Sequence, residues 1–243
     1  MKNNISSILF SVAIIVASIV LGNAFLNRNR VIGSISVTGL GKTDFSSDLI
    51  VWEGVFSKTN TQLEKAYADL ENDKKIVLEY LNSKGVPKDA IVFSAVETEQ
   101  RRKNIYSASG NYMGDEFIGY ILRQTVKIES KEVEKIENVS REITELLNQG
   151  VQLYSNLPRY YYSKLEDLKI ELVSAATENA RSRAEKIAGN SKSKLGNLIS
   201  AKMGIFQITG QHSNEDYSWG GAFNTTSKEK TASITMKLDY SVK

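Results

Sequence analysis

The sequence predicts an α+β fold with largely antiparallel sheets and helices packed on one face. Three observations carry this reading. Stretches of period-two alternation recur along the chain. Stretches of 3.6-residue periodicity interrupt them. The two kinds do not alternate strictly, as a doubly wound nucleotide-binding fold would require. After an N-terminal hydrophobic helix, the predicted order is ββαββαβαββ.

The chain opens with Lys2 and an uncharged run from Ile5 to Leu26. A helix of that length, at ~1.5 Å per residue, matches the ~30 Å hydrocarbon core of a bilayer. Residues 1–26 are therefore expected to be a signal anchor. A cleaved signal peptide is the less favoured reading, because its apolar stretch is usually only about 7–15 residues long. Residues 27–243 read as one α+β domain, with a loop or insertion at 210–230 rich in Gly, Ser and Asn.

Ile35 and Val37 alternate with Ser34, Ser36 and Thr38, which predicts a strand ending at Gly39-Leu40-Gly41. Leu49–Ser57 is a second strand, and the polar stretch 42–48 predicts a hairpin turn between them. Thr61 and Glu64 have capping-box spacing. Leu63, Ala66, Tyr67, Leu70, Val77 and Leu81 then mark an amphipathic helix that stops at Gly85, two residues before Pro87. Ile91–Thr98 is a strand and Arg101–Glu116 a polar loop. Ile118, Tyr120, Leu122, Val126 and Ile128 alternate along a long strand. Val133, Ile136, Val139, Ile143 and Leu146 define a helix that stops near Gly150.

Val151–Tyr162 is extended and interrupted by Pro158. The longest helical pattern of the body follows, Ser163–Leu198, with Ser163 and Glu166 again at capping-box spacing. Leu165, Leu168, Leu172, Ala176, Ala180, Ala184 and Ala188 share one of its faces. That face begins bulky and ends in alanine, which lets the helix sit close to whatever it covers. Leu198–Ile208 reads as a strand. Ala232, Ile234, Met236, Leu238, Tyr240 and Val242 alternate along the last one.

Composition excludes several functions. The net charge is +3, from 31 basic and 28 acidic residues, and the longest basic run is Arg101-Arg102-Lys103. Nucleic-acid binding needs a continuous basic face, so no nucleic acid is expected as a partner. The absence of cysteine removes disulfides, thiolate metal sites and thiol nucleophiles. Gly39-Leu40-Gly41-Lys42-Thr43 looks like the tail of a phosphate-binding loop. The Gly required five residues before the Gly-Lys pair is Ser36, however, and a strand follows.

His212 is the single histidine, in the polar stretch 211–216. A catalytic triad would have to use it, and a metal site with Glu215 and Asp216 lacks standard ligand spacing. The pairs Asp115-Glu116 and Glu97-Glu99 lie on polar stretches, where solvation is the better reading than acid–base work. No catalytic, cofactor or metal residue is therefore assigned. Tyr160-Tyr161-Tyr162, on an extended segment, must point to both faces, so at least one is expected to be exposed. They and Trp219 are the candidate interaction residues, with packing under the following helix equally open for the tyrosines.

Four features also carry a family resemblance. They are the strand Ile35-Ser36-Val37-Thr38-Gly39-Leu40-Gly41; the helix ending Asn82-Ser83-Lys84-Gly85-Val86, with Asp89 after it; Gly119-Tyr120 opening a long strand, followed by a helix and Gly150; and the series Ala175-Ala176, Ala180-Arg181, Ala184-Glu185, Ile187-Ala188 and Leu195-Gly196. In order and spacing the chain resembles the SIMPL-domain family over about residues 31–209. This family of exported bacterial proteins includes the periplasmic immunogenic and oxidative-stress defence proteins. The resemblance implies an α+β domain that assembles into ring- or channel-like homo-oligomers, and it carries over no catalytic residues. The expected function is that of a non-enzymatic exported envelope protein, held in the inner membrane by residues 5–26, that self-associates and serves in envelope or oxidative stress. The alternative is a ligand-binding or hydrolytic domain.

Overall fold

The structure is a computed structural model that describes residues 2–28, 33–216 and 218–243, with side chains described from residue 9 to 25 in the first stretch. It is α+β, with four α-helices and ten strands among the described residues. Helix α1 spans Lys2–Arg28. Its large apolar side chains from Leu9 to Phe25 are all exposed, at 51–72%. Among the described residues no helix is long and apolar enough to cross a membrane. The expected span 5–26 runs onto positions 5–8 and 26, whose side chains lie outside the described residues.

The chain divides into two compact units. The first comprises Met1–Leu40, Ala175–Gly204 and Thr235–Lys243. It holds the first part of β1 (Ser34–Ser46), the second part of α4 (Leu165–Asn190), β8 (Leu195–Met203) and the second part of β10 (Glu229–Val242). The strands lie in the order β1-β10-β8, with β8 antiparallel to β10 from Met236↔Met203 to Val242↔Leu195.

The alanine face of α4 is buried at Ala176, Ala180, Ala184 and Ala188, as are Val37, Leu238 and Tyr240. Gly39 shows how close the helix lies. A Cβ placed there would fall 2.0 Å from the carbonyl oxygen of Ala176 and 2.5 Å from the amide nitrogen of Ala180. Two side chains of α4 fasten it to the same strand. Asn179 Oδ1 accepts from the Leu40 N–H at 3.2 Å, and Arg183 donates to the Thr38 carbonyl at 3.0 Å. Enlarging the stripe overpacks this contact, so Ala180→Leu is expected to destabilise by about 1–3 kcal/mol in thermal or denaturant unfolding.

The second unit comprises Gly41–Ser174 and Ile205–Ile234. Its main sheet has the order β3-β5-β2-β6, made from β2 (Leu49–Asn60), β3 (Ile91–Phe93), β5 (Tyr112–Ser130) and β6 (Leu153–Ser155). The spine is the antiparallel pair β2·β5, in register from Ile50↔Ser130 to Asn60↔Tyr120. Helices α2 (Leu63–Ser83) and α3 (Val133–Glu142) pack on these two strands. They close a core that includes Trp52, Phe56, Leu70, Leu81, Leu122 and Ile136. β7 (Arg159–Tyr161) pairs with β2, and β9 (Gln207–Gly210) pairs with the start of β10.

Asp73 is buried on α2. Desolvation raises its pKa, opposed by an ion pair from Lys58 Nζ at 3.0 Å.

Several expectations are corrected. β1 and β2 are not a hairpin: β1 pairs with β10 and β2 with β5. β1 also runs through to Ser46, so the strand does not end at Gly39-Leu40-Gly41 and most of the expected turn 42–48 is strand. Helix α2 is capped by Gln62 without a side-chain bond, not by a Thr61–Glu64 box. Ser163 bonds Asp48 through both its N–H, at 2.7 Å, and its hydroxyl, at 2.5 Å. Helix α4 ends at Asn190, and Leu195–Leu198 already belongs to β8.

The largest correction is the polar loop 101–116. Most of it is β4 (Glu97–Tyr106) and the beginning of β5, paired from Glu97↔Arg123 to Tyr106↔Tyr112. The ribbon continues past the end of β2, and β4 is exposed at all ten positions. At its base the register slips by one residue, with Arg101 opposite Gly119 and Arg102 opposite Phe117. Ile118 is the extra residue of a bulge, the device that bends a strand and strengthens its twist. Gly119 has φ +136, and a Cβ there would stand 2.8 Å from the Asn60 carbonyl oxygen.

Candidate functional site

Polar side chains of the second unit converge on Lys230. β10 carries Lys230 on the same parity as Ala232 and Ile234, in a stretch, Lys230 to Ile234, that is buried on both faces. Lys230 is 2% exposed. Its ammonium donates to Ser47 Oγ at 2.7 Å and to the Tyr160 carbonyl at 2.8 Å, and lies 5.8 Å from the Tyr160 ring centroid. Burial pushes the amine down from 10.5 to about 8, and the charges of Glu215 and Glu229 only partly oppose it. Tyr160 donates its hydroxyl to Glu137 Oε1 at 2.6 Å. Burial, then that bond, raises the phenol to about 12.

The surroundings are tied in the same way. Ser46 donates to Glu229 at 2.8 Å, and Thr231 to Asp44 at 2.5 Å. The Thr231 hydroxyl holds the Asp44 carboxyl below its ordinary range. Burial pushes Asp48 up, but its bonds from Ser163 outweigh that and leave it low.

A serine hydroxyl against a buried amine of lowered pKa is the pairing that some hydrolases use for a nucleophile and its base. Here the N–H of Ser47 already donates to the Lys228 carbonyl, and that of Asp48 to the Tyr161 carbonyl. Neither can serve a developing oxyanion, usually the largest electrostatic contribution to such a reaction. The arrangement fits a clamp: one ammonium joins the β1–β2 turn to β7 and fixes Tyr160.

The predicted site residues are placed as follows. None of the three tyrosines is exposed; Tyr160 is buried, and Tyr161 and Tyr162 are half-buried. Tyr162 packs on Phe45 with ring centroids 4.9 Å apart. Trp219 is 96% exposed. Trp219→Ala is therefore expected to leave the melting curve within about 0.5 kcal/mol of wild type.

His212 adopts φ 57 on a turn beside a cavity of ≈ 240 Å³ lined also by Lys42, Asp44, Gln211 and Glu215. Glu215 is occupied there, accepting from the Gly210 N–H at 2.9 Å and from the Asn224 amide. Among the described residues no group of three His, Asp or Glu side chains suits a metal ion.

Lys230 escaped the sequence reading, although the alternation Lys230, Ala232, Ile234 places it on the buried parity.

A search among curated proteins returns no match. A family model, SIMPL, described as a protein of unknown function (DUF541), matches residues 35–241.

Proposed function

The chain belongs to the SIMPL family, and from that premise we propose a non-enzymatic, exported and membrane-tethered envelope protein that self-associates and serves in envelope or oxidative stress. The observation that carries the tether is α1. From Leu9 to Phe25 it has no charged residue, and its large apolar side chains face outward. Such a surface is costly in water and favourable in hydrocarbon. The bonded N–H groups beside Ser47 favour the non-enzymatic reading. Carbonate washing of membranes tests the tether. The full-length chain is expected to stay in the pellet; release as a soluble, N-terminally trimmed form would overturn the anchor.

A second reading, a hydrolytic domain, rests on Ser47 against Lys230. It requires that a serine-directed phosphonate label the protein and that Ser47→Ala abolish the label. We expect no labelling of either form.

A further inference from the structure

We propose that β4 is the self-association surface, and that two copies of this chain pair their β4 strands antiparallel about Gln100. This deepens the self-association reading above and rests on it. The first observation is the edge itself. Among the described residues β4 pairs only with β5, and all ten of its residues are exposed. An unpaired strand edge presents a row of free N–H and C=O groups, a template for another strand. Native chains blunt such an edge with shortness, proline, a covering loop, a bulge or charged side chains, and this edge has the last two. This one is long and proline-free, and its ribbon carries the exposed apolar side chains Ile105, Tyr106, Tyr112 and Met113.

The second observation selects the partner. Side chains alternate along a strand, so Glu97, Glu99, Arg101 and Lys103 share one face, in the charge order minus, minus, plus, plus. An antiparallel two-fold through Gln100 places Glu97 opposite Lys103 and Glu99 opposite Arg101. Both pairs occur twice, once on each side of the axis. Opposite charges directly across a strand pair stabilise it and like charges destabilise it, so this register is favoured over one shifted by two residues. A two-fold interface requires a self-complementary patch, and this strand carries one. Arg123 already pairs with Glu99 at 2.9 Å from β5. Arg123, opposite Glu97, and Glu116, opposite Lys103, add one charge of each sign to the face and leave its net charge unchanged. On the other face Arg102 is neutralised by Asp115 at 2.9 Å.

The chain has no cysteine, so an introduced thiol reports cleanly. Residues paired across antiparallel strands have Cα atoms about 4.5 or 5.5 Å apart, within the range a disulfide spans. In the full chain in detergent micelles, Gln100→Cys is expected to oxidise to a covalent dimer on a non-reducing gel. Thr98→Cys, about 14 Å from its own copy in this register, is expected to remain single. A charge exchange supplies the second arm, read by light scattering with circular dichroism to confirm that each variant is folded. Glu97→Lys with Glu99→Lys should halve the apparent mass, and so should Arg101→Glu with Lys103→Glu. Mixing the two variants should restore the dimer, because an all-positive strand then meets an all-negative one.

If the wild-type chain is a monomer, the self-association reading itself fails, and this proposal with it. If the wild-type chain associates but Gln100→Cys does not cross-link, or the charge variants keep their mass, β4 is the wrong surface and self-association stands without it. Equal cross-linking by Thr98→Cys overturns the register.

Discussion

Gly39→Ala lowers the melting temperature by about 6–12 °C, through a loss of about 3 kcal/mol at about 2–4 °C per kcal/mol for a chain of this size. The added carbon has no room. It meets the carbonyl of Ala176 at 2.0 Å and the amide of Ala180 at 2.5 Å, both backbone atoms that no rotamer change can move. Helix and strand must separate, which breaks the bonds that Asn179 and Arg183 make to β1. Gly189, also in α4, has nothing within 4 Å of its added carbon. Gly189→Ala should therefore leave stability unchanged or raise it by up to about 1 kcal/mol, since alanine is the better helix former. Paired thermal melts decide the matter, and equal curves for Gly39→Ala and wild type would show that the alanine stripe does not touch this strand.

The second large effect is on pH dependence. Lys230 binds its proton more weakly in the folded chain, at about 8, than the ordinary 10.5 expected when unfolded. Below pH 8 both states are protonated, and the cost of burying the charge is present in full. Between pH 8 and 10.5 the unfolded state holds more protons, so stability rises with pH. The rise is worth up to about 3 kcal/mol, at about 1.4 kcal/mol per pKa unit. Tyr160 works in the opposite direction. Its folded pKa of about 12 lies above the ordinary 10, so stability falls between pH 10 and 12. Denaturant melts from pH 7 to 10 should show wild type gaining relative to Lys230→Met. A flat difference between the two would mean that the amine is solvated. Tyr160→Phe should lessen the decline above pH 10, part of which remains because burial also raises the Tyr80 phenol.

The alanine series of α4 was legible because 3.6-residue periodicity and burial agree there, and Ala176 to Ala188 are buried as expected. The closing strand was legible for the same reason at period two. The ribbon was not. Its strand Glu97–Tyr106 has charged and amide side chains on both faces up to Asn104, so no hydrophobic alternation marks it. What holds it as a strand is pairing with β5, a long-range property that local pattern cannot report. The β1–β2 hairpin misled because neighbouring strands usually pair, whereas here each finds its partner far along the chain. Lys230 was hidden by residue type. A lysine is read as solvated, and only the parity of its strand shows otherwise.

The bulge at Ile118 and the constrained Gly119 make the base of the ribbon a lever. From Gly119 to the tip the arm extends about 20 Å: five further residue pairs at about 3.4 Å each, and the turn beyond them. A turn of about 10° at that one joint carries the tip through about 3.5 Å, close to a full residue of strand register. The aim of the arm is thus set by a single glycine pressed against the Asn60 carbonyl, far from the residues that the tip presents.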